Sequence, residues 1–472
     1  MKHTNLIQLT SNSSLQKKIV EICIKSAKKL IDPFYIEEIS HKKENLFMNQ
    51  KFSPWEPTTL GYGYPALILL FSEMNMFFPD PKWEKAYQAY IDLLTKELKT
   101  NGFLDPSLFA GLTGICFTIQ FAAEQNPKYV KLHASLHFLL LHQIQKYYLI
   151  PIELAEKEGK LPLPIQYGII SGLNGVLAYL LNYSTHQASK TIIHKILKHI
   201  VRVAGLIRVG SYEIPGWYAN ANYLLLKDGA KMYPKGVVEK HLDTYREGCF
   251  DTGMAHGVSG CLAVLAKALL HGIEVPNHIK SMYAIINWLK NTKQNVGKIK
   301  QVWPKRFAFN PKKKNYVEIR SDVYFDSWSY GAPGISNAMI LAASSLKDSH
   351  LYNYCINDFI SISTRLQISK DLNCPSFFYG RSGNLTIIHQ IYLATHLDIF
   401  SKSAQKLAEL LVEQYNDQSP FGFKCIPPTN DLESTFSIDN IGLITGVSGI
   451  ILSLLFSISE NHRPWTQIFL LN

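Results

Sequence analysis

A short glycine element recurs along the whole 472-residue chain, and it constrains the possible folds more than any other feature. Each copy has two glycines three residues apart, followed by an almost wholly apolar run such as Val176 to Leu181. Successive copies are separated by roughly 50 to 85 residues, enough for two helices and a connection. Six copies keep both glycines, at Gly111/Gly114, Gly172/Gly175, Gly257/Gly260, Gly331/Gly334, Gly380/Gly383 and Gly446/Gly449, and a degenerate copy spans Gly63 to Ala66.

The apolar runs after the glycines predict helices that are buried on every face. Amphipathic segments lie between them, such as Trp83 to Leu98 and Ser189 to Ala204, and these predict outer helices. An alternation of about seven inner and seven outer helices favours an all-α fold, a closed (α/α) toroid, over a bundle. An open solenoid is the alternative, but it would expose its terminal repeats.

Two segments interrupt the helical rhythm, at residues 207–251 and 298–323. Their proline and glycine dipeptides and alternating stretches predict strands or excursions over one rim of the toroid. No linker is long or biased enough to mark a domain boundary. We therefore expect one domain over residues 1–472, with both segments as excursions within it.

A glycine pair at a helix start has two interpretations. The first is structural, because glycine lets another backbone approach closely, and we favour it for most copies. The second is functional, because the first-turn N–H groups of a helix have no partner within the helix. Seven positive helix ends around one opening would then form a polar cleft.

Composition narrows the classes of function. No stretch of about 18 apolar residues occurs, so we expect no insertion into a membrane. The N-terminus lacks the basic and apolar regions of a secretory signal, which predicts a cytoplasmic protein. The seven cysteines are scattered and form no Cys-x-x-Cys pair.

The formal net charge is +11, and basic residues are densest between Lys290 and Arg320, where ten Lys and Arg accompany Glu318 alone. We favour the structural interpretation of this basic segment, which is a surface exposed to solvent. The functional interpretation is attraction to an acidic partner. No zinc-finger, RNP or helix-turn-helix pattern is present, so we expect no binding of nucleic acid.

Several strings of the sequence resemble the lanthionine synthetase C (LanC) family, and the resemblance covers essentially the full chain. The most specific is Ser327 to Gly334, which resembles the family motif Trp-Cys-Tyr-Gly-x-Pro-Gly. Leu60 to Ala66, Gly253 to Gly257 and Asn440 to Gly446 resemble further family signatures. The resemblance implies an α-toroid that binds dehydrated precursor peptides and adds their cysteine thiols to dehydroalanine or dehydrobutyrine, forming thioether rings.

The same resemblance implies partners. The precursor peptide, with its leader and dehydrated core, is the expected substrate. A lanthipeptide dehydratase and a transporter are the further expected partners, and the transporter would hold a cytoplasmic protein at the periphery of the membrane.

LanC proteins hold one zinc with Cys, Cys and His, and the metal coordinates the substrate thiolate, since a cation lowers the pKa of a thiol. The three ligand positions are Ser329, Phe378 and Tyr379 in this chain. Neutral hydroxyls are poor zinc ligands, and phenylalanine has no donor atom. An aspartate position of the family is Gly168 here, and an arginine position is Phe325. We therefore expect no metal and no other cofactor.

His256 matches the proton-transfer histidine of the family, and a structural role for it stays equally open. An active enzyme would be a zinc-independent lanthionine synthetase. His256 would take the thiol proton, and Tyr330 or Tyr379 would donate a hydrogen bond to the developing enolate. The residues expected to line the peptide-binding cavity are Trp328, Ser329, Phe378 and Asp326, of which Asp326 could instead cap a helix.

Three other functions stay open. A non-catalytic scaffold or chaperone would bind the peptide for a partner enzyme. A carbohydrate-active toroid would need two carboxylates about 5 to 10 Å apart, and Asp251, Asp326 and Asp439 form no recognisable pair. A glutathione-adding or signalling role, as suggested for eukaryotic LanC-like proteins, faces the same loss of zinc ligands.

Overall fold

The computed structural model describes residues 13–46, 53–102, 105–220, 235–297, 299–311, 315–317, 326–368, 373–426 and 437–471. Phe325 and parts of both predicted excursions lie outside these ranges. None of the helices within them is long and apolar enough to span a lipid bilayer. The chain divides into two compact units, the first of Met1–Leu140, Ser363–Gln467 and Leu471–Asn472, the second of Leu141–Ile362 and Ile468–Leu470.

The described part of the chain is mostly helical. In chain order its helices are α1 (Ser13–Lys29), α2 (Pro33–Ser40), α3 (Tyr64–Phe77), α4 (Pro81–Asn101), α5 (Leu112–Gln125), α6 (Val130–Ile144), α7 (Ile150–Lys157), α8 (Pro164–Tyr167), α9 (Leu173–Leu180), α10 (Gln187–Val203), α11 (Lys235–Thr244), α12 (Val258–Leu270), α13 (His278–Thr292), α14 (Ala332–Ser345), α15 (Ser349–Ile368), α16 (Arg381–Thr395), α17 (Asp398–Glu413) and α18 (Val447–Ser457).

The glycine elements begin buried helices, as predicted. Each of these helices starts directly after a glycine that serves as its N-cap, and every residue of α18 is buried. The N-caps are Gly63, Gly111, Gly380 and Gly446 for α3, α5, α16 and α18 of the first unit, and Gly172, Gly257 and Gly331 for α9, α12 and α14 of the second.

The start of α5 shows why glycine is needed. The loop before this helix folds back, so that the carbonyl oxygen of Asp105 accepts a hydrogen bond from the N–H of Leu112 at 2.8 Å. A Cβ at Gly111 would lie 2.0 Å from that oxygen, and a Cβ at Gly114 would lie 2.2 Å from the carbonyl oxygen of Leu108. Any side chain at either position would displace the loop.

The same contact recurs at other inner helices. The N–H of Arg381 donates to the carbonyl of Cys374 at 2.9 Å, and that of Val447 donates to Asn440 at 2.8 Å. These first-turn N–H groups therefore have partners in their own loops. The structural interpretation of the glycines holds at these helices.

Inner and outer helices pack as the sequence pattern predicts within each unit. In the first, α3 packs against α4, α5 and α18, and α18 packs against α16 and α1. In the second, α12 packs against α9, α13 and α14. The amphipathic α4 buries Trp83 and Tyr90, whose rings lie 5.8 and 5.9 Å from the ring of Phe71 on α3.

Short antiparallel strands lie in or next to the two predicted interruptions, with β5 just before the second, and all belong to the second unit. Strands β1 (Leu206–Val209) and β2 (Tyr212–Pro215) pair with each other, as do β5 (Gln294–Val296) and β6 (Ile299–Val302). A four-stranded sheet has the order β3 (Tyr218–Ala219), β4 (Cys249–Asp251), β7 (Arg306–Asn310) and β8 (Asn315–Val317). Its register places Asp251 opposite Arg306. The single domain and the rim position of the excursions stay predictions.

Candidate functional site

His256 lies in the loop between β4 and α12, and hydrogen bonds within this loop set its position. The N–H of Gly253 donates to Oδ1 of Asp251 at 2.9 Å, and Oγ of Ser259 donates to the carbonyl of Thr252 at 2.6 Å. His256 immediately precedes Gly257, the N-cap of α12. Its imidazole remains partly exposed, although its neighbours in the loop are buried.

The segment from Ser327 to Gly331 packs directly on the loop of His256. The carbonyl oxygen of Ser329 accepts from the N–H groups of Met254 and Ala255, at 3.0 and 3.3 Å. A Cβ at Gly253 would lie 2.6 Å from the same oxygen, so glycine is required for this close approach. The contact brings the ring of Tyr330 to 6.4 Å from the His256 ring, with 30° between their planes. The structure thus brings together two of the predicted catalytic residues.

Gly168 also lies beside His256. A Cβ built on Gly168 would be 3.6 Å from Nδ1 of His256, at ordinary contact distance. An aspartate at this position, which the family resemblance implies is common, would therefore sit next to the imidazole. Glycine leaves the imidazole without that carboxylate.

Two cations and one carboxylate, Lys305, Arg306 and Asp251, act on His256. Nε of Arg306 forms an ion pair with Oδ2 of Asp251 at 3.0 Å, and the two side chains are only 15% and 7% exposed. Nζ of Lys305 lies 4.4 Å from the centroid of the Tyr330 ring, a cation–π contact. Sequence reasoning missed both residues, because they fall in the basic segment interpreted as a solvated surface.

Burial and these charges set the protonation of the cluster. The pKa of His256 is lowered to about 4, chiefly by burial; the charge of Asp251 raises it, and the charges of Lys305 and Arg306 lower it. The imidazole is therefore neutral at pH 7 and can accept a proton. Burial, together with Arg306, also lowers the pKa of Lys305, to about 8.

A signal for Lys305 was present in the sequence. The preceding Trp303 is buried, and its indole N–H donates to the carbonyl of Leu289 at 2.9 Å. A Trp-Pro pair precedes the two cations and Phe307 follows them, and all three apolar residues are buried. These apolar neighbours indicate that this part of the basic segment packs against the protein interior.

The predicted cavity residues of the second unit, Asp326, Trp328 and Ser329, are all buried. Trp328 is fully buried, and its indole N–H donates to the carbonyl of Phe469 at 2.9 Å. Ser329 is fully buried, and its Oγ lies 3.2 Å from Oγ of Ser327. Asp326 is 7% exposed and forms a backbone bridge to Gly331, whose φ of +92° favours glycine. Their role in a binding cavity stays a prediction.

The other two predicted residues lie in the first unit, in the loop before α16. Phe378 is buried, and its N–H donates to the carbonyl of Ile444 at 2.8 Å. Tyr379 is partly exposed, and its ring lies 4.6 Å from that of Phe378. The nearby thiol of Cys374 lies 3.1 Å from Oγ of Ser376.

The donor atoms at these positions do not fit a zinc ion. Ser329 and Tyr379 offer neutral hydroxyls, and the buried ring of Phe378 offers none. The described residues also contain no group of three His, Cys, Asp or Glu side chains placed to hold a metal.

Two other features bear on alternative sites. Of the carboxylates considered for carbohydrate chemistry, Asp251 pairs with Arg306 and Asp439 pairs with Lys424 at 3.1 Å. A cavity of about 1150 Å³ lies in the second unit, lined in part by Trp217 and Lys280. None of the predicted cavity residues lines it.

Comparison with known proteins agrees with the family resemblance. A family model described as "Lanthionine synthetase C-like protein" matches residues 54–470. The nisin biosynthesis protein NisC of Lactococcus lactis subsp. lactis is 25% identical over 421 residues, covering 88% of each chain. A solved structure of a nisin cyclase matches with a TM-score of 0.71 at 21% identity, over 94% of this chain and 96% of that one.

The structural match confirms the predicted fold class, an all-α (α/α) toroid with small strands. The family model covers most of the sequence, including every glycine element. The chain therefore belongs to the lanthionine synthetase C-like family.

Proposed function

We propose that this protein forms thioether rings in a dehydrated precursor peptide, and that it does so without zinc. One observation carries the proposal: a neutral, partly exposed imidazole stands at the family's proton-transfer position, with the ring of Tyr330 beside it. The names of its relatives, a nisin biosynthesis protein and a nisin cyclase, support a precursor peptide as the substrate.

The reaction needs a proton acceptor and no oxidant or reductant. His256 takes the proton from a cysteine thiol of the peptide, and the sulfur attacks the β-carbon of a dehydroalanine or dehydrobutyrine. The carbon–sulfur bond forms as the π electrons of the double bond move onto the α-carbon and its carbonyl, giving an enolate. The imidazolium then returns the proton to the α-carbon, so the same group serves as base and acid.

The low pKa of His256 limits how readily its imidazole can take a proton from a thiol. A thiol has a pKa of about 8.5, and an imidazole of pKa about 4 would accept its proton at a cost of about 6 kcal/mol. Positioning two groups of one peptide can offset a cost of that size, since well-oriented intramolecular reactions gain about 7 to 11 kcal/mol.

The enolate needs a hydrogen-bond donor. Tyr330 lies beside His256 within the second unit, and its phenol is the predicted donor of that unit. Tyr379 stays a prediction for the same role, drawn from the family resemblance. The dehydratase, the transporter and the cytoplasmic location also stay predictions.

The test uses the purified protein, a metal chelator and a dehydrated, cysteine-bearing precursor peptide. Free thiols are counted with time, and rings are located by mass spectrometry after alkylation of the remaining cysteines. We expect thiols to disappear faster than in the peptide alone, at the same rate with and without chelator.

Two results would contradict the proposal in different ways. Ring formation that requires added zinc would refute the metal-independent chemistry. Tight peptide binding without any loss of thiols would make the protein a scaffold for a partner enzyme.

A further inference from the structure

Lys305 is fixed to the same loop as His256. The carbonyl of Lys305 accepts from the N–H of Thr252 at 3.2 Å and from its Oγ1 at 3.3 Å. The carbonyl of Pro304 accepts from the same Oγ1 at 2.7 Å. Thr252 thus ties the backbone of Lys305 to the turn that carries His256.

The charge of Lys305 has no carboxylate partner among the residues described by the structure. Asp251 is the acidic group of this cluster, but its two oxygens accept from Arg306 and from the N–H of Gly253. Nζ of Lys305 instead lies over the face of Tyr330, at 4.4 Å from the ring centroid. A cation beside an aromatic face and without a counter-ion is suited to bind an anion.

The exposure of the individual side chains in this cluster indicates which anion would bind there. Lys305 and His256 are both partly exposed, whereas Ser329 and Tyr330 are buried. An incoming group would therefore reach Lys305 and His256 more readily than the buried Ser329 and Tyr330. A cysteine sulfur is the substrate atom that must lose a proton next to the imidazole and carry negative charge before it attacks.

We infer that Lys305 binds the cysteine sulfur of the substrate peptide as a thiolate, and so supplies the positive charge that a metal supplies elsewhere in the family. This inference rests on the proposed function. No bond to Lys305 forms or breaks: its ammonium donates a hydrogen bond to sulfur, and the thiol proton goes to His256. The charge lowers the pKa of the bound thiol and reduces the cost of proton transfer.

The electrostatics of the cluster agree with this role. The groups that face Lys305 are His256, Tyr330, Asp251 and Arg306. With its pKa lowered to about 8, Lys305 is still mostly protonated at pH 7. Its charge is lost as the pH rises through about 8, so ring formation should slow above that pH.

The decisive experiment measures the thiol pKa of a bound peptide whose serines and threonines are not dehydrated, so that no ring can form. The thiolate is followed by its ultraviolet absorbance and by its alkylation rate as the pH is raised. We expect wild-type protein and Lys305→Arg to lower the thiol pKa by about 1 to 3 units relative to the free peptide. Lys305→Met should leave it near the free value.

Lys300→Met is the matched control, since Lys300 is an exposed residue of the same basic segment. It should behave as the wild type. If Lys305→Met does not fold, as judged by circular dichroism, Lys305→Gln replaces it. The inference is overturned if wild-type protein leaves the thiol pKa unchanged, or if the uncharged variants lower it as much as the wild type does.

The measurements of thiol pKa and of ring formation test the thiolate site and the proposed function separately. A lowered thiol pKa without rings in the dehydrated peptide would refute the proposed function and keep the thiolate site. Rings that form equally well with Lys305→Met would refute the thiolate site and keep the proposed function. With both correct, Lys305→Met slows ring formation at pH 7 by about 8- to 30-fold, the change in thiolate fraction when a thiol pKa of about 8.5 falls by 1 to 3 units.

Discussion

The loops that lead into α12 and α16 share a backbone design and differ in chemistry. In each loop a glycine caps the helix, and the carbonyl six residues earlier comes so close that no Cβ would fit. A Cβ at Gly257 would lie 2.5 Å from the carbonyl oxygen of Asp251, and one at Gly380 would lie 1.9 Å from that of Cys374. The residue before the glycine is His256 in one loop and Tyr379 in the other.

The difference separates what the fold requires from what the reaction requires. The fold needs the glycine and the carbonyl behind it, and both loops have them. The loop before α12 carries an imidazole and lies against the Asp251–Arg306 ion pair and the ammonium of Lys305, whereas the loop before α16 carries two contacting aromatic rings. The same loop backbone can therefore carry side chains of different chemistry.

The largest expected effect tests whether the chemistry lies in the loop before α12. His256→Ala removes the proton acceptor and should slow ring formation by about 100- to 10,000-fold, the usual contribution of a general acid–base group. Thiol counting on the dehydrated peptide measures it. His271→Ala is the control, because this exposed histidine lies at the other end of α12 and should leave the rate unchanged. Equal rates for both variants would remove His256 from the mechanism.

The ion pair of this loop can be tested through stability. Arg306→Met leaves the carboxylate of Asp251 buried and unpaired, and should lower the free energy of unfolding by about 3 to 5 kcal/mol. Urea unfolding gives the value, and Asp251→Asn in the same chain should restore part of it. Arg246→Met breaks an exposed pair with Asp243 and should change stability little. A similarly small change for Arg306→Met would mean that the pair is not buried in solution.

The shared backbone design predicts similar losses in both loops. Gly257→Ala and Gly380→Ala each force a Cβ against a backbone oxygen and should lower the unfolding free energy by about 1 to 3 kcal/mol. Gly236→Ala is the control: nothing lies within 4 Å of its Cβ, and alanine at this exposed position of α11 should add about 1 kcal/mol. If only one of the two loops responded, the backbone design would not be common to both.

The smallest effect concerns the aromatic loop. Tyr379→Phe removes one hydroxyl and keeps the ring against Phe378. If the hydroxyl donates to the enolate, ring formation slows roughly 2- to 12-fold, the worth of one ordinary hydrogen bond. An unchanged rate would leave Tyr330 as the predicted donor.

Much of the fold follows from the sequence alone. An almost wholly apolar run after a glycine has no stable place except the interior, and α3, α5 and α18 bear this out. The amphipathic stretch from Trp83 to Leu98 lies within the outer helix α4. The lack of zinc-binding donor atoms could also be predicted from the sequence. Whether Ser329 and Phe378 can bind a metal depends on their side-chain chemistry and not on their surroundings.

The tertiary structure alone decided the electrostatics of the candidate site. Local patterns assigned Lys305 and Arg306 to a solvated surface, because charged residues dense in sequence are usually exposed. Strand pairing instead places Arg306 opposite Asp251, 55 residues away, and carries Lys305 over the ring of Tyr330. The protonation of His256 depends on burial and on charges from these distant segments. Contacts between distant segments produce no periodic pattern in the local sequence, so the sequence alone did not predict them.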